Sequence, residues 1–506
     1  MDTDVLVVGA GPVGLLLAAE LALAGVRTLV VERLARPSTE RKARGIGTLA
    51  AEALRRRGLG AALAEHHERG AADFRAAHGS DRGHFAWLHK IDLVPADEPE
   101  RTYSFIWQPE LEELLGEYAA GLGVPVLRGQ PLTDLTQDGA GVTATVGSGR
   151  ITASYLVGCD GGRSTVRKLA GFAFPGTAPY LIMRAGTATL ADPAVLPAPG
   201  RRDTGSLMHG GGLLGTLELG TVEFGTVEFG SFPEDRSTPL TAAELTDSVR
   251  RVAGVDVTIT ALDEPKRVAD HARQATPYRL GRVLLAGDAA HVHSPNGGQG
   301  LNLGLMDATN LGWKLAASLR RPGPFADELL DSYSAERHPV AAAVLHNTRA
   351  QSALLAPGPH TDALRDIMSE LMDLPQVNAY FAELMSGLHA RYPLPYPTED
   401  HPLLGAHCPD LALDGSTLYA HTAGGRAVLL APADEPGVAG AAAPWADRST
   451  IVAAAELDRD DLTGLLLRPD GIVAWTAAPD RPADTTALRT ALHTWLGDPG
   501  ERARGG

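Results

Sequence analysis

The chain has 506 residues, 44% of them hydrophobic and 21% charged, with a formal net charge of −16. That length permits two or three domains with sizeable cores, and the charge argues against nucleic acid or an anionic membrane surface as a partner. With only two cysteines, Cys159 and Cys408, neither a disulfide framework nor a four-cysteine zinc site can be built, which suits the reducing cytoplasm.

The opening MDTD is acidic and lacks the basic start of a signal peptide. VLVVGAGPVGLLLAA (Val5–Ala19) is uncharged, but Gly9, Gly11, Pro12 and Gly14 interrupt it. Glu20 then ends it short of the ~20 residues a membrane span needs. DVLVV predicts a buried parallel strand, GAGPVG a tight turn and LLLAAELALAG a helix that Gly25 stops. VRTLVVER follows as a second strand ending at Glu32, with Arg33 beside it. The result is a strand–turn–helix–strand unit of the dinucleotide-binding kind. Gly9 permits the turn, Gly11 admits a pyrophosphate to the backbone, and Gly14 lets helix and strand pack closely. Pro12 and Val13 open the helix, whose free amides face the phosphates. Glu32 is suited to accept hydrogen bonds from a ribose.

ASYLVGCDGGRSTVRKLAG (Ala153–Gly171) predicts a strand that delivers Cys159-Asp160-Gly161-Gly162 to a short helix capped by Ser164 or Thr165. Arg163, Arg167 and Lys168 form a cationic cluster there. From about Phe174 to Ala269 the pattern alternates like strands. HGGGLLG (His209–Gly215) repeats the three-glycine spacing at Gly210, Gly212 and Gly215. It runs into alternating TLELGTVEFGTVEF and not into a helix, so it is not read as a nucleotide site. The tandem GTLELGTVEFGTVEFG (Gly215–Gly230) is too short for a solenoid repeat and is read as strands forming one wall of a substrate cavity. Which side chains point inward cannot be read from alternation.

RVLLAGDAAH brings a strand to Asp288. The loop through Pro295, Gly297, Gly298 and Gly300 then opens a helix at about Leu301. A triphosphate-binding loop would carry Gly-Lys-Ser or Gly-Lys-Thr, and this loop has no lysine. His291 and His293 alternate like a chelating pair, yet no further ligand set completes a metal site, and none is expected. Asp270-His271 is read as an incidental neighbour pair. SAERHPVAAAVLHNTRAQSALL (Ser334–Leu355) reads as a helix broken by Pro339, and RYPLPYPTEDHP (Arg391–Pro402) as a linker. VLLAP, TIVAAAELD and GLLLRPDGIVAW then predict strands of a small α/β unit.

Taken in order, GAGPVG with Glu32, CDGGRSTVRK and GDAAHVHSPNGGQGLN resemble the signatures of the FAD-dependent aromatic hydroxylases, single-component flavoprotein monooxygenases of the p-hydroxybenzoate hydroxylase fold. The resemblance is nearer to enzymes that oxygenate aromatic polyketides and to rifampicin monooxygenases, and it runs from Asp4 to about Pro339 and weakly to Trp475. It implies an α/β chain in three parts. A Rossmann-like FAD-binding domain spans 1–173 and 270–398, with part of 71–100 on the substrate side. A β-sheet substrate domain spans 174–269, and a thioredoxin-like domain without Cys-x-x-Cys spans 399–506. Asp288 would hold a ribityl hydroxyl, and the loop Pro295–Asn302, with Gly298, Gly300, Leu301 and Asn302, would wrap the flavin. Its glycines let the backbone meet a flat ring, and the helix start would aim its dipole at the N1/O2 edge. IWQPELEELLGEYA implies FAD contact by Gln108, and RGQPLTDLTQDGAGVTATV implies backbone contact by Leu132 near the adenine. Asp160 joins the same set. ERKARGIG resembles the family's Arg-Ala-x-Gly loop, with Lys42 where arginine is usual. Lysine keeps the charge but loses the bidentate fork, so Arg41 or Arg44 takes part of the role.

What the resemblance implies for function is a cytoplasmic monooxygenase that uses FAD, NADPH or NADH, and O2 to hydroxylate a polycyclic phenolic polyketide through a C4a-hydroperoxyflavin. Its partners are small molecules, and a homodimer is left open. Nicotinamide would bind transiently across a surface that includes Arg167. No catalytic residue is assigned, because the cofactor carries the chemistry. The rivals are Baeyer–Villiger insertion on the same fold, a rifampicin-type antibiotic-modifying monooxygenase and a non-catalytic FAD-binding protein. A flavin halogenase lacks its Trp-x-Trp-x-Ile-Pro signature here, and a disulfide reductase lacks a cysteine pair.

Overall fold

The computed structural model describes residues 1–78, 82–92, 98, 100–209, 221–230, 232, 238–398, 400–454 and 457–499. Val5, Leu6 and Val7 are fully buried, as a strand covered on both faces requires. Thr3–Val8 lies between parallel neighbours Thr28–Glu32 and Gly149–Gly158, with Val126–Arg128 and Val283–Leu285 outside them. Gly149–Gly158 also closes an antiparallel meander with Val142–Val146 and Leu132–Gln137. Val8, Val31 and Gly158 are in register, and so are Gly158 and Leu285. Their carboxyl ends therefore share one edge, where ligands of open parallel sheets bind.

Helix Pro12–Leu23 leaves that edge and packs on the 22-residue helix Gln299–Arg320. Contact is close: a Cβ at Gly312 would lie 2.5 Å from Glu20 Cβ. Helix Pro324–Leu355 crosses behind without interruption. The predicted break at Pro339 is thus a correction. Proline removes one hydrogen bond, but anchors on both sides hold the helix. Tyr333 donates to Leu285 O and Glu336 pairs with Lys314 on one side, and Asn347 donates to Gln299 on the other. The helix predicted from about Leu301 begins two residues earlier, at Gln299.

A second, antiparallel sheet runs in the order Gly200–Arg202, Gly205–His209, Thr221–Phe229, Leu181–Leu190, Ile259–Ala269. Helix Ala242–Ala253 covers one face. Arg184 pairs with Glu244 and Glu228, Thr226 bonds Ser248, and Phe224 packs on Leu245 and Val249. Residues on the opposite face are thereby fixed by the two-residue alternation of strands. Leu181, Met183, Met208, Val227 and Phe229 turn away from the helix, and Trp87 packs against the buried Leu181, Met208 and Val227. That settles the direction alternation left open. The predicted three-glycine repeat at 210–215 lies outside the described residues.

The C-terminal unit orders its strands Ser449–Ala454, Ala427–Pro432, Gly464–Leu467, Val473–Ala477, the first two parallel and the rest antiparallel. With helices Pro436–Ala442 and Thr485–Leu496 this is a thioredoxin-like arrangement. Cys408 is buried, and burial pushes its thiol up to about 12, away from the thiolate that redox exchange uses. The unit is tied to the rest by buried charge. Glu336 accepts from Lys314 and from both terminal nitrogens of Arg468, while Arg468 also pairs with Asp470. Arg57 pairs with Glu20 and donates to Pro469 O and Thr422 O. No helix among the described residues is long and apolar enough to cross a membrane.

Candidate functional site

Three turns meet at the carboxyl edge of the parallel sheet: Gly9–Gly14, Cys159–Asp160 and Gly287–Asp288. Their glycines answer to different demands. Gly9 has φ +111, and a Cβ there would sit 2.4 Å from Cys159 O. A Cβ on Gly14 would lie 2.0 Å from Gly9 O. Backbone conformation and packing require these two. Gly11 is different: its φ is an ordinary −78, and a Cβ there would meet nothing within 4 Å. Neither strain nor any neighbour explains it, so the missing methyl leaves an open cradle. Gly11 also caps helix Pro12–Leu23 without a side chain, which leaves the first amides unclaimed by a cap.

Glu32 bounds the cradle. Its Oε2 accepts from Ala10 N at 2.9 Å and its Oε1 from Leu34 N at 2.8 Å. One acceptor site remains on each oxygen. Gln130 N donates to Glu32 O, which carries the start of the Leu132–Gln137 strand beside it. Arg33, Arg41 and Lys42 are exposed, with Arg41 5.0 Å over the Trp107 ring and Lys42 paired with Glu40. Gln108 opens its helix and bonds Glu112, and its own N–H donates to Ala43 O. Gln130 thus ties the start of the Leu132 strand to Glu32, and Gln108, through Ala43, lies beside the segment that carries Arg41 and Lys42.

Asp160 is occupied locally. It accepts from Ser164 Oγ at 2.5 Å, Thr165 N at 2.6 Å and Val166 N at 3.1 Å, while Ser164 caps Arg167 N. What it offers a ligand is its backbone. Arg167 is buried, donates to Ala289 O and Gly162 O, and stacks 3.8 Å from the Phe174 centroid. The expected exposed role on a nicotinamide surface is therefore corrected: its guanidinium braces two of the three turns. Asp270 likewise caps strand Leu181–Leu190 by accepting from Tyr180 N and Leu181 N.

Asp288 stands exposed at the tip of the turn Gly287–Ala289. The helix beginning at Gln299 has Gly298 as its N-cap, at φ +64 and without a side-chain cap, so its first amides point outward. Asn302 fixes this loop: it accepts from Gly47 N at 2.6 Å and donates to Gly298 O at 2.9 Å. Pro295 O accepts from Gly298 N, and Gly300 clears His293, whose Nε2 would be 3.3 Å from a Cβ. Leu301 follows, half-buried, in the first turn. Asn296 Nδ2 and His293 Nε2 are buried in this loop without hydrogen-bond partners among the described residues.

Two clusters escaped sequence reading. Asp307 is fully buried. It accepts from His291 at 2.6 Å, Arg337 at 2.8 Å and Gly287 N at 3.0 Å, which locks the turn that carries Asp288. Burial raises its carboxyl, but His291 and Arg337 outweigh that and hold it below the ordinary carboxylate value. His291 Nε2 is therefore engaged with Asp307. No group of three or more metal-ligating side chains exists among the described residues. No local signal singles out Asp307, because the same helix also carries Gln299, Asn302, Thr309, Asn310, Lys314 and Ser318. The second cluster is a carboxamide chain. Gln299 Oε1 accepts from Asn347, Asn347 Oδ1 accepts from Gln351, and Gln351 Oε1 accepts from Ala86 N at 3.1 Å. It joins the Gln299 helix start to the tip of the hairpin Gly83–Phe85/Leu88–Ile91, which no local motif announces.

The family of FAD-binding domains matches residues 2–348, and the family of aromatic-ring hydroxylase C-terminal domains matches residues 401–499. A 12-dehydrotetracycline 5-monooxygenase/anhydrotetracycline 6-monooxygenase of Streptomyces rimosus subsp. rimosus is 42% identical, across 99% of this chain and 100% of its own length. A rifampicin monooxygenase of Streptomyces venezuelae is 39% identical, across 98% of both. Among solved structures, the anhydrotetracycline hydroxylase OxyS from Streptomyces rimosus superposes with a TM-score of 0.86 at 41% identity, covering 99% of this chain and 100% of that one.

Proposed function

The chain belongs to the FAD-dependent aromatic-ring hydroxylases, and on that premise we propose that it is a monooxygenase of polycyclic phenolic polyketides that uses NADPH or NADH, and O2. One observation carries the reading: the carboxyl edge of the parallel sheet holds a glycine cradle that no protein atom fills, in a chain whose second sheet offers an apolar face with Trp87 packed on it.

FAD fits the residues present. Gly11 supplies a cradle that nothing in the protein fills, and the uncapped start of Pro12–Leu23 offers amides and dipole to a pyrophosphate. We assign Gly9, Gly11, Pro12, Val13 and Gly14 to the pyrophosphate and Glu32 to the adenosine ribose. Leu132 belongs on the adenine side by its backbone. Arg33, Arg41, Lys42 and Gln108 supply charge and polar groups along the phosphates. Asp160, by backbone, and Asp288 take the ribityl chain, and Pro295, Gly298, Gly300, Leu301 and Asn302 form the loop against the ring.

Bound FAD supplies hydride acceptance from the nicotinamide and activation of O2 for transfer of one oxygen atom. The chain binds, orients and excludes water. The first amides of Gln299–Arg320 would offer donors and a positive dipole end to the bound ring, where they would favour its electron-rich form. Leu181, Met183, Met208, Val227 and Phe229 form a dry wall that holds a flat aromatic substrate by its faces. No acid–base side chain is required, and none is assigned. A rifampicin-type antibiotic is the second reading, favoured by the 39% identical relative.

The test is steady-state oxidation of NADPH by the purified flavoprotein, with anhydrotetracycline as the tetracyclic probe and rifampicin beside it. The expected result is one FAD per chain and faster NADPH oxidation with the tetracyclic phenol than with rifampicin. A protein purified without FAD, and unable to take it up, contradicts the assignment.

A further inference from the structure

The hairpin Gly83–Phe85/Leu88–Ile91 has a strained tip. Ala86 and Trp87 lie at φ +49 and +63, the left-handed region that side chains ordinarily avoid. No glycine relieves it, and three contacts hold it. Gln351 accepts from Ala86 N, Arg365 donates to Ala86 O at 2.7 Å, and His84 Nδ1 accepts from Trp87 N at 3.4 Å. The outcome is that one indole is pressed onto the helix-free face of the antiparallel sheet, among Leu181, Met208 and Val227.

Trp87 Nε1 is buried there with no hydrogen-bond partner among the described residues. A buried indole N–H normally finds an acceptor, and leaving it unmet is costly. The same sheet face carries a second such group. Ser206 stands opposite Val227 in register and two residues from Met208, so it shares their face. It is 1% exposed, and its Oγ also lacks a partner. A third donor, Asn296 Nδ2, comes from the Pro295–Asn302 loop. That loop and the hairpin tip are linked through Gln351: a Cβ on Gly297 would lie 3.1 Å from Gln351 Nε2, while Gln351 Oε1 holds Ala86 N. Strain and two unmet donors thus share the apolar wall, and Gln351 ties the hairpin that carries one of them to the loop that carries the third.

We propose that Trp87 is a substrate-binding and specificity-determining residue, its indole N–H donating to a carbonyl or phenolic oxygen of a polycyclic aromatic ligand, with Ser206 as a second donor on the same wall. Gln351 acts as a positioning residue, since it sets the tip against the cofactor-side loop. The inference rests on the proposed function for the class of ligand, and on this structure alone for the residues. It predicts that selectivity follows the pattern of ring oxygens, since apolar contact cannot tell one oxygenation pattern from another.

The experiment is equilibrium binding of anhydrotetracycline to the oxidised holoenzyme, followed by perturbation of the flavin spectrum, in wild type, Trp87→Phe and Ser206→Ala. Phenylalanine keeps an aromatic ring in the cluster and deletes the donor. Expected is a dissociation constant raised about 3- to 10-fold in Trp87→Phe, with FAD content unchanged. A second readout does not depend on the variant's packing. The indole N–H resonance missing from the spectrum of Trp87→Phe shifts when wild type binds the probe. Equal dissociation constants, or a resonance that stays in place while the probe binds, overturn the proposal. So does a wild type that does not bind the probe. Binding without turnover refutes the monooxygenase reading and leaves this one standing, which keeps the two failures apart.

Discussion

Replacing Gly11 with alanine separates a glycine required by a ligand from glycines required by the protein. At Gly9 the new methyl would sit 2.4 Å from a carbonyl oxygen at φ +111, and at Gly14 it would sit 2.0 Å from one. Both are far inside contact distance with backbone that cannot step aside, so Gly9→Ala and Gly14→Ala are expected to destabilise the apoprotein by several kcal/mol, at roughly the 1–3 kcal/mol of overpacking or above it. At Gly11 the methyl meets no atom within 4 Å and the φ of −78 suits alanine. Restricting the unfolded chain makes that substitution neutral or stabilising by up to ~1 kcal/mol. The bound state is another matter, because the methyl occupies the space through which a pyrophosphate approaches the amides. We expect FAD affinity to fall by at least tenfold, about 1.4 kcal/mol. Urea unfolding of the FAD-stripped protein and titration of FAD fluorescence give the two numbers on one sample. A Gly11→Ala protein that binds FAD like wild type, or whose apoprotein is as damaged as Gly9→Ala, refutes the cradle.

Asp307→Asn leaves Arg337 buried with no anionic partner and weakens the hold on Gly287 N. Breaking such a pair costs ~3–5 kcal/mol, readable by urea unfolding, and a loss under ~1 kcal/mol contradicts the account. Glu336→Gln strips the shared partner of Lys314 and Arg468 at the join to the C-terminal unit. It should unfold that unit early, seen as protease cleavage near the 391–402 linker, and an unchanged digestion pattern argues against the join. His84 is held down to about 4 from 6.5, first by burial and then by His89 and Arg44. Its unfolded form therefore binds a proton that the folded form refuses between those values. Stability falls as pH drops from 6.5 toward 4, and His84→Gln should flatten that part of the pH–stability curve. The same slope in wild type and variant assigns the effect elsewhere.

The three turns were legible because each is local: a β-branched strand, a glycine turn and a helix start lie in one short stretch, and backbone sterics dictate the residue types. Glu32 was legible for the same reason, as the last residue of the second strand. Other features answer to tertiary partners and leave no local trace. Asp307, Lys314, Glu336, Arg337 and Arg468 look like ordinary helix or turn polar residues until the fold buries them against one another. Pro339 reads as a helix stop because its missing hydrogen bond is a local fact, whereas the anchors that carry the helix through it are not. The wall of the sheet shows the same limit. Val227 and Phe229 lie on the face that Trp87 packs against while Phe224 and Glu228 lie toward a helix, so each face takes a phenylalanine and alternation alone does not say which is the wall. The hairpin tip at Ala86-Trp87 contains no glycine, so its left-handed backbone could not be anticipated. Arg167 shows the converse case: a cation in a suggestive cluster turned inward to brace the turns it sits beside.

The most direct test of the account is isotope incorporation. The purified protein is supplied with NADPH, anhydrotetracycline and 18O2, and the product is measured by mass spectrometry. The account predicts a product that gains one 18O atom, with fragments placing it on a ring carbon as hydroxyl. NADPH consumed to yield only hydrogen peroxide with this probe and with related tetracyclic phenols, or a product whose new oxygen comes from water, would contradict it.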